Sequence, residues 1–449
     1  MPFAEWDERR NRLERLRRLL EDNETRIEAA IDSDFAGRPR IETQFAEIFP
    51  SLLEIRGAIK RGKRWMKPRS AGVSKWFLPA RANVLPRPLG VVGIIVPWNY
   101  PLFLAVSPLV AALVAGNRAM VKMSEFTPAF SELFQQLIAS AFRTNEVAVI
   151  TGGADVAAQF SALPFDHLLF TGSTSVGRKV MGAASQNLTP VTLELGGKSP
   201  TVIAPDYPID HAVQRLLAGK LLNAGQTCLA PDYALVPRAK LTAFVESARW
   251  QAQGMYPTGL ADKDYCSIVN TRQYQRLTGY VEQARIAGAE IVPLFNGPER
   301  NDDAHRMAPA MVIDPQPELD VMREEIFGPL LPVVPYDDVK DAIAFINAQP
   351  RPLAMYWFDN NQQRADLALK STHVGGVCVN DTLLHVAQED LPFGGVGASG
   401  MGHYHGRWGF DSFSKLTPVF RQARVNGMKL FLPPYRPYVA KMLRLMKRF

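Results

Sequence analysis

The chain has 449 residues, of which 47% are hydrophobic and 21% are charged. This composition excludes a disordered chain and provides enough apolar material for about two or three domains. The 32 glycines and 34 prolines follow no repeating period, which excludes collagen-like and low-complexity chains. Three cysteines are too few for a disulfide framework at this length and favour a reducing compartment.

The net charge of +7 comes from one end of the chain. Residues 421–449 contain eight basic and no acidic residues, whereas residues 1–420 contain 43 basic and 44 acidic residues. The body is almost neutral, so we predict no nucleic-acid partner. The basic tail also carries apolar side chains, which leaves two interpretations open. It contacts an anionic membrane surface, or it packs on the body or on a partner subunit, which is the favoured interpretation.

Residues 5–66 show the pattern of helices. Their charged start lacks the apolar run of a signal peptide, and no stretch of the chain approaches the roughly 18 apolar residues of a spanning helix. We therefore expect the protein in the cytoplasm. Apolar residues at helical spacing predict a surface amphipathic helix. These residues are Leu13, Leu16, Leu20, Ile27 and Ile31.

Prolines mark a change of structure in residues 67–90. Pro68, Pro79, Pro86 and Pro88 lie in this segment, and proline is poorly tolerated inside helices and central strands. We interpret the segment as an excursion or edge element between two parts of one domain.

From residue 91 onward, short apolar segments alternate with helical ones. The alternation predicts a doubly wound α/β sheet. A second α/β unit is predicted from about residue 198 to 393, and residues 408–420 carry a further strand. The predicted strands of the first unit cover residues 91–96, 119–122, 147–150, 167–171 and 191–195, and its predicted helices cover residues 105–115, 128–142, 154–161 and 175–184.

Cys228 is the first candidate for a catalytic group. An intracellular cysteine is either a small buried apolar residue or a nucleophile, and a thiolate nucleophile needs access and a lowered pKa. The sequence NAGQTCLA at residues 223–230 places glycine and polar residues before Cys228, which favours an accessible turn and a nucleophile. Cys266 and Cys378 lack such neighbours and are predicted core residues.

Glu194 is the second candidate. It ends an apolar segment and is followed closely by Gly196 and Gly197, which allow close approach of a ligand or a sharp turn. A carboxyl group in apolar surroundings has a raised pKa and can act as a general base. The alternative is an exposed glutamate at the end of a strand.

Two further motifs follow predicted strands. Asn99 comes directly after residues 91–96, at the sheet edge where ligands of α/β proteins bind, and its amide can donate a hydrogen bond to an oxyanion. A proline-bracketed turn is the alternative for Asn99. Gly172 and Ser173 lie between a strand and a helix, a position where backbone N–H groups bind anions, although the usual dinucleotide fingerprint is missing.

Together, these motifs resemble the NAD(P)-dependent aldehyde dehydrogenase superfamily over residues 5–420. Further motifs of the superfamily match at residues 121–125, with Met123 where proline is usual, and at residues 391–395. The short N-terminus and residues 228–233 are similar to the class 3 branch. Residues 380–390 and 403–406 are similar to the bacterial coniferyl-aldehyde dehydrogenases.

The resemblance implies a fold and a division of the chain. It implies a Rossmann-type NAD(P)-binding domain over residues 1–196, interrupted by an oligomerisation excursion at about 68–90, and a catalytic α/β domain over residues 197–395. A small bridging and oligomerisation segment covers residues 396–420, before the basic tail at 421–449. It also implies a homodimer.

The resemblance also implies the chemistry. Cys228 attacks an aldehyde, Asn99 and the Cys228 N–H hold the oxyanion, and Glu194 activates the water that hydrolyses the thioester. The cofactor is NAD, with NADP as an alternative, because Glu125 accepts hydrogen bonds from a free ribose hydroxyl and repels a phosphate. The substrate is an aromatic aldehyde, such as coniferyl aldehyde. The residues implied for cofactor binding are Trp98, Lys122, Glu125, Gly172, Ser173, Glu325 and Phe327.

Four other interpretations stay open at this point. A dehydrogenase that forms acyl-CoA needs no hydrolytic base, and Glu194 speaks against it. A cysteine-dependent acyltransferase or thioesterase explains Cys228 alone. A non-catalytic binding protein can share the fold. A metal pair at His403 and His405 lacks accompanying ligands, so we predict no metal site.

Overall fold

Residues 4–448, which the computed structural model describes, form two large sheets with helices on their faces, one small antiparallel sheet and a two-stranded ribbon. The helices are α1 (Trp6–Glu21), α2 (Glu24–Phe35), α3 (Arg40–Thr43), α4 (Phe49–Trp65), α5 (Phe103–Ala115), α6 (Pro128–Ala141), α7 (Ala154–Ser161), α8 (Thr174–Ser185), α9 (Ile209–Leu221), α10 (Leu241–Met255), α11 (Thr271–Ile286), α12 (Asp320–Arg323), α13 (Val339–Ala348), α14 (Gln362–Ser371), α15 (Gly406–Ser412) and α16 (Pro437–Met446). The strands are β1 (Arg69–Ala71), β2 (Arg81–Pro88), β3 (Val91–Ile95), β4 (Arg118–Lys122), β5 (Val147–Ile150), β6 (His167–Gly172), β7 (Val191–Leu195), β8 (Pro200–Ile203), β9 (Tyr233–Pro237), β10 (Glu290–Pro293), β11 (Arg300–Asn301), β12 (Arg306–Met307), β13 (Ala310–Ile313), β14 (Leu330–Tyr336), β15 (Ala354–Phe358), β16 (Gly376–Val379), β17 (Gly400–Met401) and β18 (Ser414–Arg421). The α/β prediction is confirmed.

The six-stranded sheet has the order β17-β7-β6-β3-β4-β5. Strands β3 to β7 run parallel, and the short β17 pairs antiparallel with β7, so that Gly400 lies opposite Glu194. After β3, the chain forms β4 and β5 on one side of β3. It then crosses over and forms β6 on the other side of β3. The carboxyl ends of β3 and β6 therefore form a topological switch point, where α/β sheets bind ligands.

The seven-stranded sheet has the order β10-β13-β14-β9-β8-β15-β16. It is parallel except for β10, which pairs antiparallel with β13 at the edge. The central strands β8, β9 and β15 are buried along their whole length, as expected for parallel strands covered by helices on both faces. One large apolar core continues from α1 to α15.

The proline-rich segment forms part of the three-stranded sheet β1-β2-β18. The prediction of an edge element is only half right, because β2 is the middle strand. However, β1 pairs only with residues 82–84 of β2. Pro86 and Pro88 lie beyond this pairing and face β18 on one side only, so their missing N–H groups leave no ladder partner unsatisfied.

The prediction of a surface amphipathic helix near the N-terminus is right about the apolar face and wrong about the number of helices. The chain forms two helices, α1 and α2, which are separated at Asp22 and Asn23. The apolar residues that gave the pattern, such as Leu13 and Ile27, have no exposed surface. They are buried because α1 packs on α4 and α5, and α2 packs on α6.

The tail beyond β18 forms a short 3-10 helix (Gly427–Phe431) and α16. Within α16, Val439 is buried, and several apolar side chains of the tail are exposed. Phe449 lies outside the described residues. No helix in residues 4–448 is both long enough and apolar enough to cross a membrane.

Candidate active site

The turn before Cys228 has an unusual backbone. After α9, Asn223, Ala224 and Gly225 adopt left-handed φ angles of 52°, 50° and 77°, which are costly for residues other than glycine. A Cβ atom on Gly225 would collide with the carbonyl oxygen of Gly328. The turn is held from outside, because the Asn223 N–H donates to Glu42 Oε2 at 3.0 Å.

Gln226 also fixes this turn. Its side-chain amide donates to the Asn223 carbonyl and to the Ser267 carbonyl, each at 3.0 Å. Its side-chain oxygen accepts from the Val269 N–H at 3.0 Å. These bonds join the turn to the segment before α11 and give Cys228 a defined position.

Cys228 is half-buried at the end of this turn. Its sulfur lies near the N–H groups of Cys228 and Leu229. Burial raises the pKa of the Cys228 thiol to about 12, with further contributions from the nearby carboxyl groups of Glu325 and Glu194. The resting group is therefore a thiol. Cys266 is a buried core residue whose sulfur donates to Asn223 Oδ1 at 3.2 Å, and Cys378 is half-buried.

Asn99 follows β3 and reaches the same turn. Its side-chain amide donates to the Gln226 carbonyl at 3.1 Å, and this leaves a second N–H on the amide nitrogen. Its own backbone carbonyl accepts from Arg38 Nη1 at 2.9 Å and from Asn223 Nδ2 at 3.2 Å. The structure thus brings Asn99 and Cys228 together from opposite ends of a long stretch of sequence.

The sequence did not reveal the support behind Asn99. Arg38 and Glu47 form a fully buried ion pair, with 2.9 Å between Arg38 Nη1 and Glu47 Oε1. The other carboxyl oxygen, Glu47 Oε2, accepts a hydrogen bond from the Leu102 N–H at 2.7 Å. The pair joins the segment after α2 to the start of α5. In the sequence, the only signal of this ion pair is a charged residue, Glu47, within an apolar helical segment.

Glu194 lies in β7 and is 3% exposed. Neither of its carboxyl oxygens has a hydrogen-bond partner among residues 4–448. Burial raises the pKa of Glu194 well above its ordinary value. The exposed alternative is therefore excluded, and the carboxyl group is near enough to Cys228 to raise the pKa of the thiol.

Glu325 comes to the same place from the segment between α12 and β14. Burial raises its pKa to about 8, together with the charge of Asp232. Its Oε1 atom has no partner in the described part of the chain. Gly196 leaves room for this carboxyl group, because a Cβ atom there would collide with it. Cys228, Glu194 and Glu325 therefore form one cluster, the catalytic cluster.

Lys198 and Asp232 hold the Glu325 segment. Lys198 Nζ forms an ion pair with Asp232 and donates to the carbonyls of Val321 and Glu324, each at 2.9 Å. The other Asp232 oxygen accepts from the Ile326 N–H at 2.9 Å. The sequence did not predict this support, although Lys198 directly follows the two glycines.

The remaining predicted residues lie along the carboxyl edge of the six-stranded sheet. The rings of Trp98 and Phe327 meet edge to face at 5.2 Å. Lys122 is the last residue of β4, and its Nζ atom lies 3.5 Å from Oε2 of the exposed Glu125. Gly172 ends β6, and Ser173 is the N-cap of α8, with its hydroxyl accepting from the Val176 N–H at 3.4 Å.

These residues fit a dinucleotide with a nicotinamide end. The unpartnered Glu325 oxygen can hold a ribose hydroxyl, and the Trp98–Phe327 ring pair, whose Phe327 follows Glu325 by two residues, can hold a flat ring. Lys122 and Glu125 offer a cation and a carboxylate for the other ribose. Backbone N–H groups at the start of α8 suit the phosphates.

A cavity of roughly 200 Å³ opens at Cys228. Its walls are mostly apolar and come from the segments around α4, α5 and residues 383–405. They include Phe45, Phe49, Leu53, Phe103, Leu229, Leu383, Leu384, Val386 and Phe393. Among residues 4–448, no group of three or more histidine, cysteine or acidic side chains is arranged to hold a metal ion.

Comparison with known proteins agrees with this arrangement. The sequence profile of the Aldehyde dehydrogenase family matches residues 3–419. The chain belongs to this family. The "Probable coniferyl aldehyde dehydrogenase" of Pseudomonas aeruginosa is 51% identical over 443 residues, which are 98% of this chain and 92% of that protein. The "Coniferyl aldehyde dehydrogenase" of Pseudomonas sp. strain HR199 is 42% identical, over 96% of this chain and 90% of that protein.

Solved structures of aldehyde dehydrogenases superpose on the chain. The substrate-bound state of Staphylococcus aureus AldH has a TM-score of 0.93 and 36% identity, and the match covers 98% of this chain and 95% of that chain. The Pseudomonas syringae indole-3-acetaldehyde dehydrogenase AldA, solved with NAD+, has a TM-score of 0.84 and 25% identity over 94% of this chain and 85% of that one. As an aldehyde dehydrogenase, the protein oxidises an aldehyde to the acid with a nicotinamide cofactor. The family prediction is confirmed.

Proposed function

We propose that the enzyme oxidises aromatic aldehydes of the coniferyl type to carboxylic acids, with Cys228 as the nucleophile. The observation that carries this proposal is the apolar cavity at Cys228, whose walls suit a flat aromatic substrate. The names of the relatives from two Pseudomonas strains support the same class of substrate.

The side chains divide the work as follows. The Cys228 sulfur, after losing its proton, attacks the carbonyl carbon and forms a thiohemiacetal. The second N–H of the Asn99 amide and the Cys228 N–H stabilise the oxyanion. Trp98, Glu325 and Phe327 would hold the nicotinamide end of the cofactor, which would supply the hydride acceptor for the oxidation. Glu194 then takes a proton from the water that attacks the thioester on Cys228, which releases the acid and restores the thiol.

The cofactor proposal is NAD rather than NADP. Glu125 lies beside Lys122 with an exposed carboxyl group, which accepts hydrogen bonds from a free ribose hydroxyl and repels a phosphate at the same position. Gly172 and Ser173 lie by the phosphates, while Trp98, Glu325 and Phe327 hold the nicotinamide end. A kcat/KM for NADP equal to that for NAD contradicts this choice.

We also propose a homodimer in the cytoplasm, with the domain division given above. Free cysteines favour a reducing compartment. Next to the three-stranded sheet lies an exposed apolar patch, which we call the sheet patch. It is formed by Trp76, Phe77 and Leu78 of the connection between β1 and β2 and by Phe420 of β18. Such patches mark protein interfaces. The tail packs on the partner subunit rather than on a membrane.

The test measures the turnover of a panel of aldehydes with NAD, and the absorbance of the reduced cofactor reports the rate. We expect the highest kcat/KM for cinnamaldehydes and benzaldehydes, and the same rate with and without coenzyme A. The control is Cys266→Ala, which removes a buried thiol that is not in the cavity. A preference for short aliphatic aldehydes, or a rate that depends on coenzyme A, contradicts the proposal.

A further inference from the structure

Two deeply buried polar side chains, Glu54 and His405, are among the residues that line the apolar cavity beside Cys228. Glu54 of α4 is 5% exposed, and His405, just before α15, is 3% exposed. Within the residues that the structure describes, Glu54 Oε1 and His405 Nε2 have no hydrogen-bond partner. An unpartnered buried polar atom costs about 1–3 kcal/mol. Two of them beside one cavity call for a functional explanation.

Glu54 and His405 belong to one place in the fold. The N–H of Gly406, which follows His405, lies against the Glu54 carboxyl group. The charges of Glu194, Glu54 and Cys228 all act on the hydroxyl of the buried Tyr404. Glu54 and His405 therefore border the same cavity as Cys228.

The surroundings hold the His405 ring in a defined position. The residue has a left-handed φ of 90°, which is rare for a side chain with a Cβ atom. Its ring stacks on Phe393 with a centroid distance of 5.2 Å and an angle of 13°. Tyr404 covers the ring edge to face at 4.5 Å.

Both groups are uncharged near neutral pH. Burial raises the pKa of Glu54 to about 8 and lowers the pKa of His405 to about 3. A neutral carboxyl group donates one hydrogen bond and accepts others, and a neutral imidazole nitrogen donates or accepts one. The pair suits an uncharged hydroxyl group, while a charged group would lose its water shell without a counter-ion.

Glu389 provides a contrast in the same cavity. This carboxyl group also lines the wall, but it forms an ion pair with Arg61. One of its oxygens is therefore paired with a cation inside the protein. The Glu54 carboxyl group lies against the Ser107 hydroxyl and the Gly406 N–H, but its Oε1 atom has no partner among the described residues, so it has capacity left for a substrate.

We propose that Glu54 and His405 form a subsite that binds a hydroxyl group at the far end of the aldehyde substrate. The subsite selects phenolic aldehydes over aldehydes without the hydroxyl group. The inference rests on the proposed function, because it assumes that the aldehyde is attacked by Cys228 in this cavity. Coniferyl aldehyde carries such a phenol group.

The test compares p-hydroxycinnamaldehyde with cinnamaldehyde, which differ only in the phenol group. We expect wild-type kcat/KM to be about 10–100-fold higher for the phenol, because a site with polar groups left unpaired rejects the analogue that lacks the hydroxyl. Glu54→Leu should remove this preference by lowering kcat/KM for the phenol. Turnover of cinnamaldehyde should stay within about threefold, since its transition state makes no bond to Glu54.

The matched control is Glu389→Gln, which changes the ion-paired carboxyl group of the same cavity and should keep the preference. Equal kcat/KM for the two aldehydes in the wild type overturns the subsite, even if Glu54→Leu fails to fold. An equal loss for both substrates in Glu54→Leu overturns it as well. In both cases the proposed function stands, because the aldehydes are still oxidised. Oxidation of neither aldehyde overturns both proposals.

Discussion

At the scale of single residues, the active site is built from groups that are uncharged at rest. Cys228, Glu194 and Glu325 lie close together, and burial raises the pKa of each. Burial explains the effect, because removal from water disfavours the charged form of each group, and at Cys228 the carboxyl groups of Glu325 and Glu194 add to it. The cluster must lose protons before it can act as nucleophile and base.

This arrangement predicts the pH dependence of the reaction. The pKa of Cys228 is raised to about 12, and that of Glu194 lies well above its ordinary value. The active, deprotonated fraction of each group therefore grows as pH rises, by up to about tenfold per pH unit below the pKa. We expect kcat/KM to increase from weakly acidic to alkaline solution. A profile that falls over this range contradicts the assignment.

Asn99→Ala tests the oxyanion contact. The substitution removes the amide that lies beside the catalytic turn, and it should slow the first turnover by about 10²–10³-fold if Asn99 holds the oxyanion. Stopped-flow detection of the reduced cofactor measures this step. Asn223→Ala is the control for lost hydrogen bonding to the turn. A normal first turnover in Asn99→Ala removes Asn99 from the oxyanion site.

At the scale of elements, the catalytic turn is held by contacts from distant parts of the chain. Gly225 approaches the carbonyl of Gly328 so closely that no Cβ atom fits, and its φ of 77° is left-handed. The turn before Cys228 and the segment after Glu325 are thus packed against each other. A change in one moves the other.

Gly225→Ala should therefore lower both stability and activity. The methyl group adds backbone strain and a steric clash, with an expected cost of roughly 2–4 kcal/mol in the free energy of unfolding. Denaturant unfolding and kcat measure the two effects. Gly254→Ala in α10 is the matched control, because no atom of the described chain lies within 4 Å of its Cβ position. An unchanged stability in Gly225→Ala contradicts this account.

The strands and helices of the first unit could be predicted from sequence, because their apolar patterns are local. The predicted strands at residues 147–150 and 191–195 agree with β5 and β7. The N-terminal pattern was interpreted as one helix, whereas the chain forms α1 and α2, because the spacing of apolar residues does not reveal the break at Asp22 and Asn23. Glu54 and His405 were missed as a pair, since only the fold brings together residues so far apart.

At the scale of the whole molecule, exposed apolar side chains lie in the sheet patch, in the tail and around the start of α4. In the tail, Leu432, Tyr435 and Leu445 are exposed, and around the start of α4 Phe45 and Phe49 are exposed. The basic residues of the tail could be held by a membrane or by a second subunit. The neighbouring sheet patch favours a second subunit, because one interface can then cover both.

Sedimentation equilibrium tests this proposal with four proteins. We expect the full chain to be a dimer, and both Phe420→Glu and a chain that ends at Arg421 to shift towards monomer, because each loses apolar interface area. Leu188→Glu should stay dimeric, because Leu188 is an exposed loop residue that is distant in sequence from both the sheet patch and the tail. If the shortened chain remains a dimer but no longer binds anionic vesicles, the tail is a membrane element instead.

The central claim is that Cys228 carries the acyl group and Glu194 releases it, and Glu194→Gln tests it most directly. The substitution keeps the shape and removes the base, which should slow hydrolysis by about 10²–10⁴-fold. We expect a burst of about one reduced cofactor per active site, followed by little turnover, with the acyl group on Cys228 in the mass spectrum of the intact protein. Cys228→Ala should show neither burst nor adduct. Normal steady-state turnover in Glu194→Gln, or aldehyde oxidation by Cys228→Ala, would contradict the account.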